Sequence, residues 1–273
     1  MQYDPIKRSL GRVFNATPTL RVIFYKMLDI LLLRCWYIRR ELNRWNRSLN
    51  GKAASILDAG SGFGQYSHRM AKLNAQHSIL GVDVKDEQIA DCNGFFARLG
   101  MAGRVSFETQ DLTRFSRPDS FDLILSVDVM EHILDDRQVF ANFYQSLREG
   151  GTLLISTPSD LGGSDADEHD DNHAHGFIDE HVRDGYNKED IREKLQTAGF
   201  RDVDVKYSYG TPGHVSWILS MKWPITALNA TKLFFILLPF YYIIFYPWCL
   251  LLNVIDVCSS HEAGTGLIVK AIK

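Results

Sequence analysis

At 273 residues and 45% hydrophobic content, the chain can bury one substantial core plus appendages. Its four cysteines (Cys35, Cys92, Cys249, Cys258) are widely spaced with no C-x-x-C pair, which argues against a metal knuckle and suits a reducing compartment. The net charge of −3 conceals +7 over residues 1–50 and −10 over the remainder; an acidic main body and basic residues interleaved with an apolar face exclude nucleic acid as the expected acceptor.

Met1–Arg12 lacks the apolar core of a cleavable signal, and the chain has no internal repeat. Thr17 and Pro18 then open a helical pattern. Leu20, Phe24, Met27, Leu28, Leu31, Cys35, Ile38, Leu42, Trp45 and Leu49 recur at three- and four-residue steps, with Arg34, Arg40, Arg44 and Arg47 largely off that face. Two readings stay open for this basic amphipathic helix. It lies in a lipid headgroup region with its arginines near phosphates, or it caps the domain that follows.

The next run, Ile56-Leu57-Asp58-Ala59-Gly60-Ser61-Gly62-Phe63-Gly64, reads as a buried strand breaking into a glycine turn that opens a helix at Gln65. Three further apolar runs end in acids: Ser78–Asp83, Val105–Asp111 and Phe121–Asp128. Helical segments over 65–73, 86–99 and 138–147 separate them, an alternation that predicts parallel βαβ units with ligand groups at the carboxyl ends of the strands. An acid at the tip of the second strand can accept from a ribose diol, and one at the third from an adenine amino group. A nicotinamide site would want glycine or alanine where Gln65 stands.

A fifth run, Thr152–Pro158, leads into the acidic, histidine-rich stretch 160–185. A helix capped by Asn187 and closed by Gly199 follows, then a strand over 203–209. From Leu233 to Ile255 there are 23 residues without a charge, a helix length of about 35 Å against a ~30 Å hydrocarbon core. Gly266–Ile272 reads as the last strand, so the chain must return to the side it left. That favours a re-entrant or interface-lying hairpin bent at Pro239 or Pro247 over a single crossing. Trp217, Trp223, Tyr241, Tyr242, Tyr246 and Trp248 suit the headgroup level. The other reading packs the hairpin on the protein or on a second subunit.

The spacing Asp58-x-Gly60-x-Gly62-x-Gly64, together with Gly81-Val82-Asp83, Gln110-Asp111-Leu112, Phe121-Asp122-Leu123-Ile124, Glu131-His132 and Arg148–Pro158, resembles the Rossmann-like (class I) S-adenosylmethionine-dependent methyltransferases. The likeness runs from about 53 to 210 and resumes at the C-terminus. It implies an α/β fold: a seven-stranded, mostly parallel sheet, here with an N-terminal amphipathic helix and a hydrophobic hairpin between the last two strands. It also implies S-adenosyl-L-methionine as cofactor, with Asp58, Gly60, Ser61, Gly62 and Gly64 around the methionine part and Asp83 with Val84 at the ribose. Asp111 and Leu112 frame the adenine, and Val127 completes the shell. The expected division is 1–50 as basic helical segment, 51–213 with 261–273 as methyltransferase domain, and 214–260 as membrane-associating insertion.

Methyl transfer needs alignment and exclusion of water, and an oxygen acceptor also needs a base. His132 is one candidate. His181, in a Glu-His-x-Arg run that resembles an acceptor-facing feature of small-molecule methyltransferases, is the other. Asp128-x-x-Glu131-His132 is similar to the Glu-x-x-Glu-His of ubiquinone-pathway O-methyltransferases, which hold a divalent ion; the shorter Asp128 makes a metal the less favoured reading. The 160–185 stretch reads first as a solvated lid, second as a source of ligands or base. The expectation is an enzyme at the cytoplasmic side of a membrane, peripheral or monotopic, methylating a lipophilic small molecule, with O-methylation favoured. The alternatives are a soluble-metabolite methyltransferase whose hairpin builds a homodimer, and a non-catalytic membrane scaffold.

Overall fold

The sheet is built from runs of branched and aromatic residues too short for helices: β1 (Ser55–Ala59), β2 (Ser78–Asp83), β3 (Val105–Thr109), β4 (Phe121–Val127), β5 (Leu147–Pro158), β6 (Arg201–Ser208) and β7 (Gly266–Ile272). The computed structural model describes residues 17–162, 182–231 and 234–273. The strands lie in the order β3-β2-β1-β4-β5-β7-β6. Pairings among β1 to β5 are parallel, and β7 runs antiparallel to both β5 and β6. The expected seven-stranded, mostly parallel sheet is what forms. Near-continuous apolar burial in the central strands follows from helices covering both faces.

On one face, α1 (Pro18–Leu31), α2 (Leu33–Ser48), α3 (Gln65–Leu73) and α4 (Asp86–Arg98) enclose a core of Tyr25, Leu42, Ile56, Met70, Phe95, Phe96 and Leu125. On the other, α5 (Asp136–Ser146) and α6 (Lys188–Thr197) cover Leu57, Ile124, Phe140, Leu153, Leu195 and Val269. Local signals hold where predicted. Thr17 accepts from the Leu20 N–H at 3.2 Å, and Asn187 from the Glu189 N–H at 2.9 Å.

Among the described residues, the helical pattern that opens at Thr17 and Pro18 is two helices, not one. Leu32 is extended (φ −96°, ψ 116°) and turns the chain between them. The carbonyl of Ile30, in the last turn of α1 where no helical donor is left, accepts from Trp36 Nε1 at 3.0 Å and Tyr246 Oη at 2.9 Å. The break lets α1 and α2 present different faces to the domain: Arg21 and Tyr25 from the first, Leu33, Tyr37, Ile38 and Leu42 from the second.

The insertion between β6 and β7 is a helical hairpin, but it does not bend at its prolines. α7 (Thr211–Trp217), a π-helical turn (Ile218–Lys222) and α8 (Trp223–Ala230) run out, and α9 (Phe234–Cys258) runs back as one helix through Pro239 and Pro247. The outgoing arm ends at Ala230, before either proline is reached. Each proline removes one helical donor, leaving the carbonyls of Phe235 and Ile243 without a partner from that residue while the apolar helix continues. Tyr241 and Tyr242 donate to the carbonyls of Leu219 (2.7 Å) and Ser220 (2.8 Å) in the π-helical turn, clamping the two arms. At its root, buried Asp256 accepts from the Gly213 N–H at 2.8 Å and from the Tyr37 hydroxyl.

Candidate active site

The glycine turn after β1 takes left-handed backbone at Gly60 (φ 78°), Gly62 (φ 50°) and Gly64 (φ 80°). Its amides are partly engaged: Gly60 and Ser61 donate to the Val82 carbonyl at 2.8 and 2.9 Å, and Gly62 to Asp83 Oδ2 at 2.9 Å. A Cβ on Gly60 would fall 2.2 Å from Val129 Cγ2, so only glycine lets the turn lie against the β4 tip. A Cβ on Gly62 would meet nothing within 4 Å. Beside it the buried Ser61 hydroxyl has no hydrogen-bond partner. An open-sided glycine next to an orphaned hydroxyl fits a polar ligand lying across the turn.

Asp58 plays a supporting part. Its carboxylate is buried and accepts from Ser67 Oγ in the first turn of α3, fastening turn to helix. Burial pushes it up to about 6 despite that bond. The other acids stand at the strand tips as predicted. Asp83, the last residue of β2, accepts from Gly62 and from the Lys85 N–H at 3.1 Å. Val84 beside it is 64% exposed. Asp111 is exposed beyond β3; its Oδ1 takes the Thr113 N–H (2.9 Å) and hydroxyl (2.7 Å), which hold its carboxyl below the usual range. Leu112 is buried in the core, and Val127 closes β4. Asp83, Val84 and Asp111 therefore stand on one rim with the glycine turn, while the Leu112 side chain points into the core.

The sequence reading missed that α1 and α2 reach over this rim with arginines. Arg21 is buried: it pairs with Asp91 of α4, donates to the Phe63 carbonyl in the glycine turn at 2.6 Å, and lies 4.4 Å from the Phe95 ring centre. Tyr25 donates to the same carbonyl. Asp29 accepts from Gln65 Nε2 at 2.9 Å and pairs with Arg69. Arg34 pairs with Asp128 just past β4, while its backbone N–H donates to the Tyr209 hydroxyl at 2.9 Å. The signal available was an arginine inside an apolar helical run, which reads equally well as a solvated residue.

At the acceptor end, Met130–His132 forms a single 3₁₀ turn. Glu131 is buried and accepts from Thr157 Oγ1 at 3.1 Å; burial, then the nearby Asp128 charge, push it up to about 7. His132 is exposed at the same turn. Val182 donates to the Glu131 carbonyl at 3.1 Å, and Arg183 donates to the Ile133 carbonyl at 2.7 Å and pairs with Asp136, so the chain returns beside this turn after the acidic stretch. His181 and the acids and histidines of 163–181 lie outside the described residues. Among the described residues no three His, Cys, Asp or Glu groups converge as metal ligands. Asp128 pairs with Arg34, and Glu131 accepts from Thr157. A depression of about 280 Å³ sits at the opposite, amino-terminal edge of the strands, lined by Ser55, Ile79, Arg104 and Arg117 among others; its lining has serines but no carboxylate, histidine or cysteine to act on them.

Residues 50–199 match the model of a family described as "Methyltransferase domain". A phosphoethanolamine N-methyltransferase of Triticum aestivum is 33% identical over 152 residues, which are 54% of this chain but 28% of that protein. The chain thus spans less than a third of the length of that relative. Among solved structures, Haemonchus contortus phosphoethanolamine N-methyltransferase 2 in complex with S-adenosyl-L-methionine superposes with a TM-score of 0.56 at 22% identity, covering 84% of this chain and 52% of that one. An S-adenosylmethionine-dependent methyltransferase of Mesorhizobium loti gives 0.51 at 18% identity, covering 84% and 96%. At these identities the superpositions speak for the fold alone.

Proposed function

The chain belongs to the methyltransferase-domain family of S-adenosylmethionine-dependent transferases, and we propose that it methylates a lipophilic small molecule at a membrane surface, with oxygen as the favoured acceptor atom. The observation carrying this reading is topological. The hairpin leaves the sheet at the end of β6, on the rim that holds Gly62, Asp83 and Glu131, and α9 presents a long apolar face with only 6% of its most apolar stretch buried. An acceptor approaching that rim meets hydrocarbon first.

The residues fit the cofactor: an open glycine, an orphaned serine hydroxyl and acids at two strand tips. Bound there, S-adenosylmethionine supplies a methyl group on a positively charged sulfur. In this reading the glycine turn and Asp83 hold its donor end, Asp111 and Leu112 border the adenine, and α1 with α2 exclude water from above. His132, at the rim, takes the acceptor proton, and His181 is the second candidate base. Residues 51–213 with 261–273 form the transferring unit, 1–50 the cap, and 214–260 the segment entering the cytoplasmic leaflet without crossing it.

The relatives' name favours a second reading, transfer to an amine nitrogen of a polar-headed acceptor. One experiment addresses both. Purified chain is incubated with methyl-labelled S-adenosylmethionine and a membrane lipid extract or a water-soluble metabolite extract, and product masses are determined. Label in an organic-phase ether or ester supports the first reading. Label only in water-soluble amines, from a chain that stays in the supernatant after centrifugation with membranes, overturns it.

A further inference from the structure

The outer faces of α1 and α9 are built the wrong way round for a chain surrounded by water. α1 turns its polar side chains inward, with Arg21, Tyr25 and Asp29 all bonded to the glycine turn or to α3 and α4. Its outward stripe is Leu20, Ile23, Met27 and Ile30, all exposed, with Lys26 as the one charge among them. On α9 the first turn is exposed on every side, since four consecutive residues, Phe234, Phe235, Ile236 and Leu237, are 38–69% accessible. Beyond it Phe240, Ile243, Ile244 and Leu251 continue the exposed face, while Tyr241 and Tyr242 grip the other arm. The two apolar surfaces meet where Tyr246 of α9 bonds the Ile30 carbonyl at the end of α1.

We propose that these two faces form one bilayer-docking platform, and that α1, being at once the roof of the cofactor turn and a lipid-contacting helix, couples membrane binding to cofactor affinity. The proposal rests on the membrane reading above and goes beyond it. A bilayer is the occupant the surfaces suit. A second protein copy reads one face of a helix, whereas the α9 tip is apolar around its whole circumference. Lys26 within the α1 stripe can reach out to an anionic headgroup.

The coupling follows from the two-sidedness of α1. Its inner face holds the Phe63 carbonyl, Gln65 and Asp91, so any force that orders α1 also orders the turn between Gly60 and Gly64. Lipid on the outer face and ligand under the inner face then stabilise the same position of one helix, and each must strengthen the other by an equal factor. Couplings of this kind are about fivefold or more.

The test uses the full chain and S-adenosylhomocysteine, read by calorimetry with and without vesicles of phosphatidylcholine containing a minor fraction of phosphatidylserine. Expected are co-sedimentation with the vesicles and ligand affinity at least about fivefold tighter in their presence. The I23E/M27E/I30E variant changes exposed side chains only. It should keep wild-type ligand affinity in vesicle-free buffer and lose the vesicle-induced gain. An environment-sensitive dye on Met27→Cys, in a chain carrying Cys258→Ser, should shift to the blue on vesicle addition whether or not the triple variant folds. A chain that binds vesicles with unchanged ligand affinity and an unshifted dye overturns the coupling but leaves the membrane reading intact. A chain that ignores vesicles and elutes as a dimer overturns both.

Discussion

Alanine at Gly62 separates a cofactor role from a folding role. Gly62 and Gly100 share a left-handed backbone (φ 50° and 71°), and at both an added Cβ meets no atom within 4 Å. Strain is therefore similar, about 1–2 kcal/mol for a left-handed alanine. At about 2–4 °C per kcal/mol for a chain of this size, each variant should melt roughly 2–8 °C lower. The difference lies in what surrounds the new methyl. Gly100 closes the loop after α4, away from the rim, whereas the space over Gly62 adjoins the partnerless Ser61 hydroxyl and Asp83. A methyl forced into a filled site costs about 1–3 kcal/mol, or roughly a five- to 150-fold loss of affinity at ~1.4 kcal/mol per decade. Melting curves and calorimetric titration with S-adenosylhomocysteine read the two effects. Equal ligand affinity in Gly62→Ala and Gly100→Ala would refute the placement of the cofactor over this turn.

Other outcomes follow from the same geometry. Replacing Asp256 by Ala leaves the Gly213 N–H and Tyr37 hydroxyl without their acceptor at the hairpin root; stability should fall by about 3 kcal/mol, seen as a melting point roughly 6–12 °C lower, and an unchanged melting point refutes the docking. Glu131 has a folded pKa raised from 4.5 to about 7, so the folded chain keeps a proton that the unfolded chain releases; its contribution to stability falls as pH rises through that window, by about 3 kcal/mol. Glu131→Gln should gain on wild type from pH 4.5 to pH 7 in urea titrations, and a constant gap contradicts the assignment. Replacing His132 or His181 by Ala should leave ligand affinity near normal while turnover drops about 10²-fold or more, and unchanged rates in both dismiss the base roles.

Much of the cofactor rim was legible because its requirements are local. Glycines that need left-handed backbone, acids at strand ends and a strand–helix alternation all leave marks at fixed spacing, and β2, α3 and β7 begin and end where those marks place them. What stayed hidden depends on distant partners. Nothing near Leu32 announces a break; it arises because Arg21 and Tyr25 must face the glycine turn while Leu33, Tyr37 and Ile38 face the sheet. Pro239 and Pro247 suggested a bend, yet the helix runs through them, supported from the other arm through Tyr241 and Tyr242. Arg34 looked like one of several surface arginines until Asp128 and Tyr209, 94 and 175 residues away, closed on it.

The account stands most directly on binding at the carboxyl rim of the sheet. Calorimetric titration of the purified chain with S-adenosylmethionine and S-adenosylhomocysteine should give one site per chain for both, weakened at least about tenfold by Asp83→Ala, which loses charge-assisted hydrogen bonds of about 1.5–3 kcal/mol each. No heat from either ligand, with circular dichroism showing an intact fold, would contradict it.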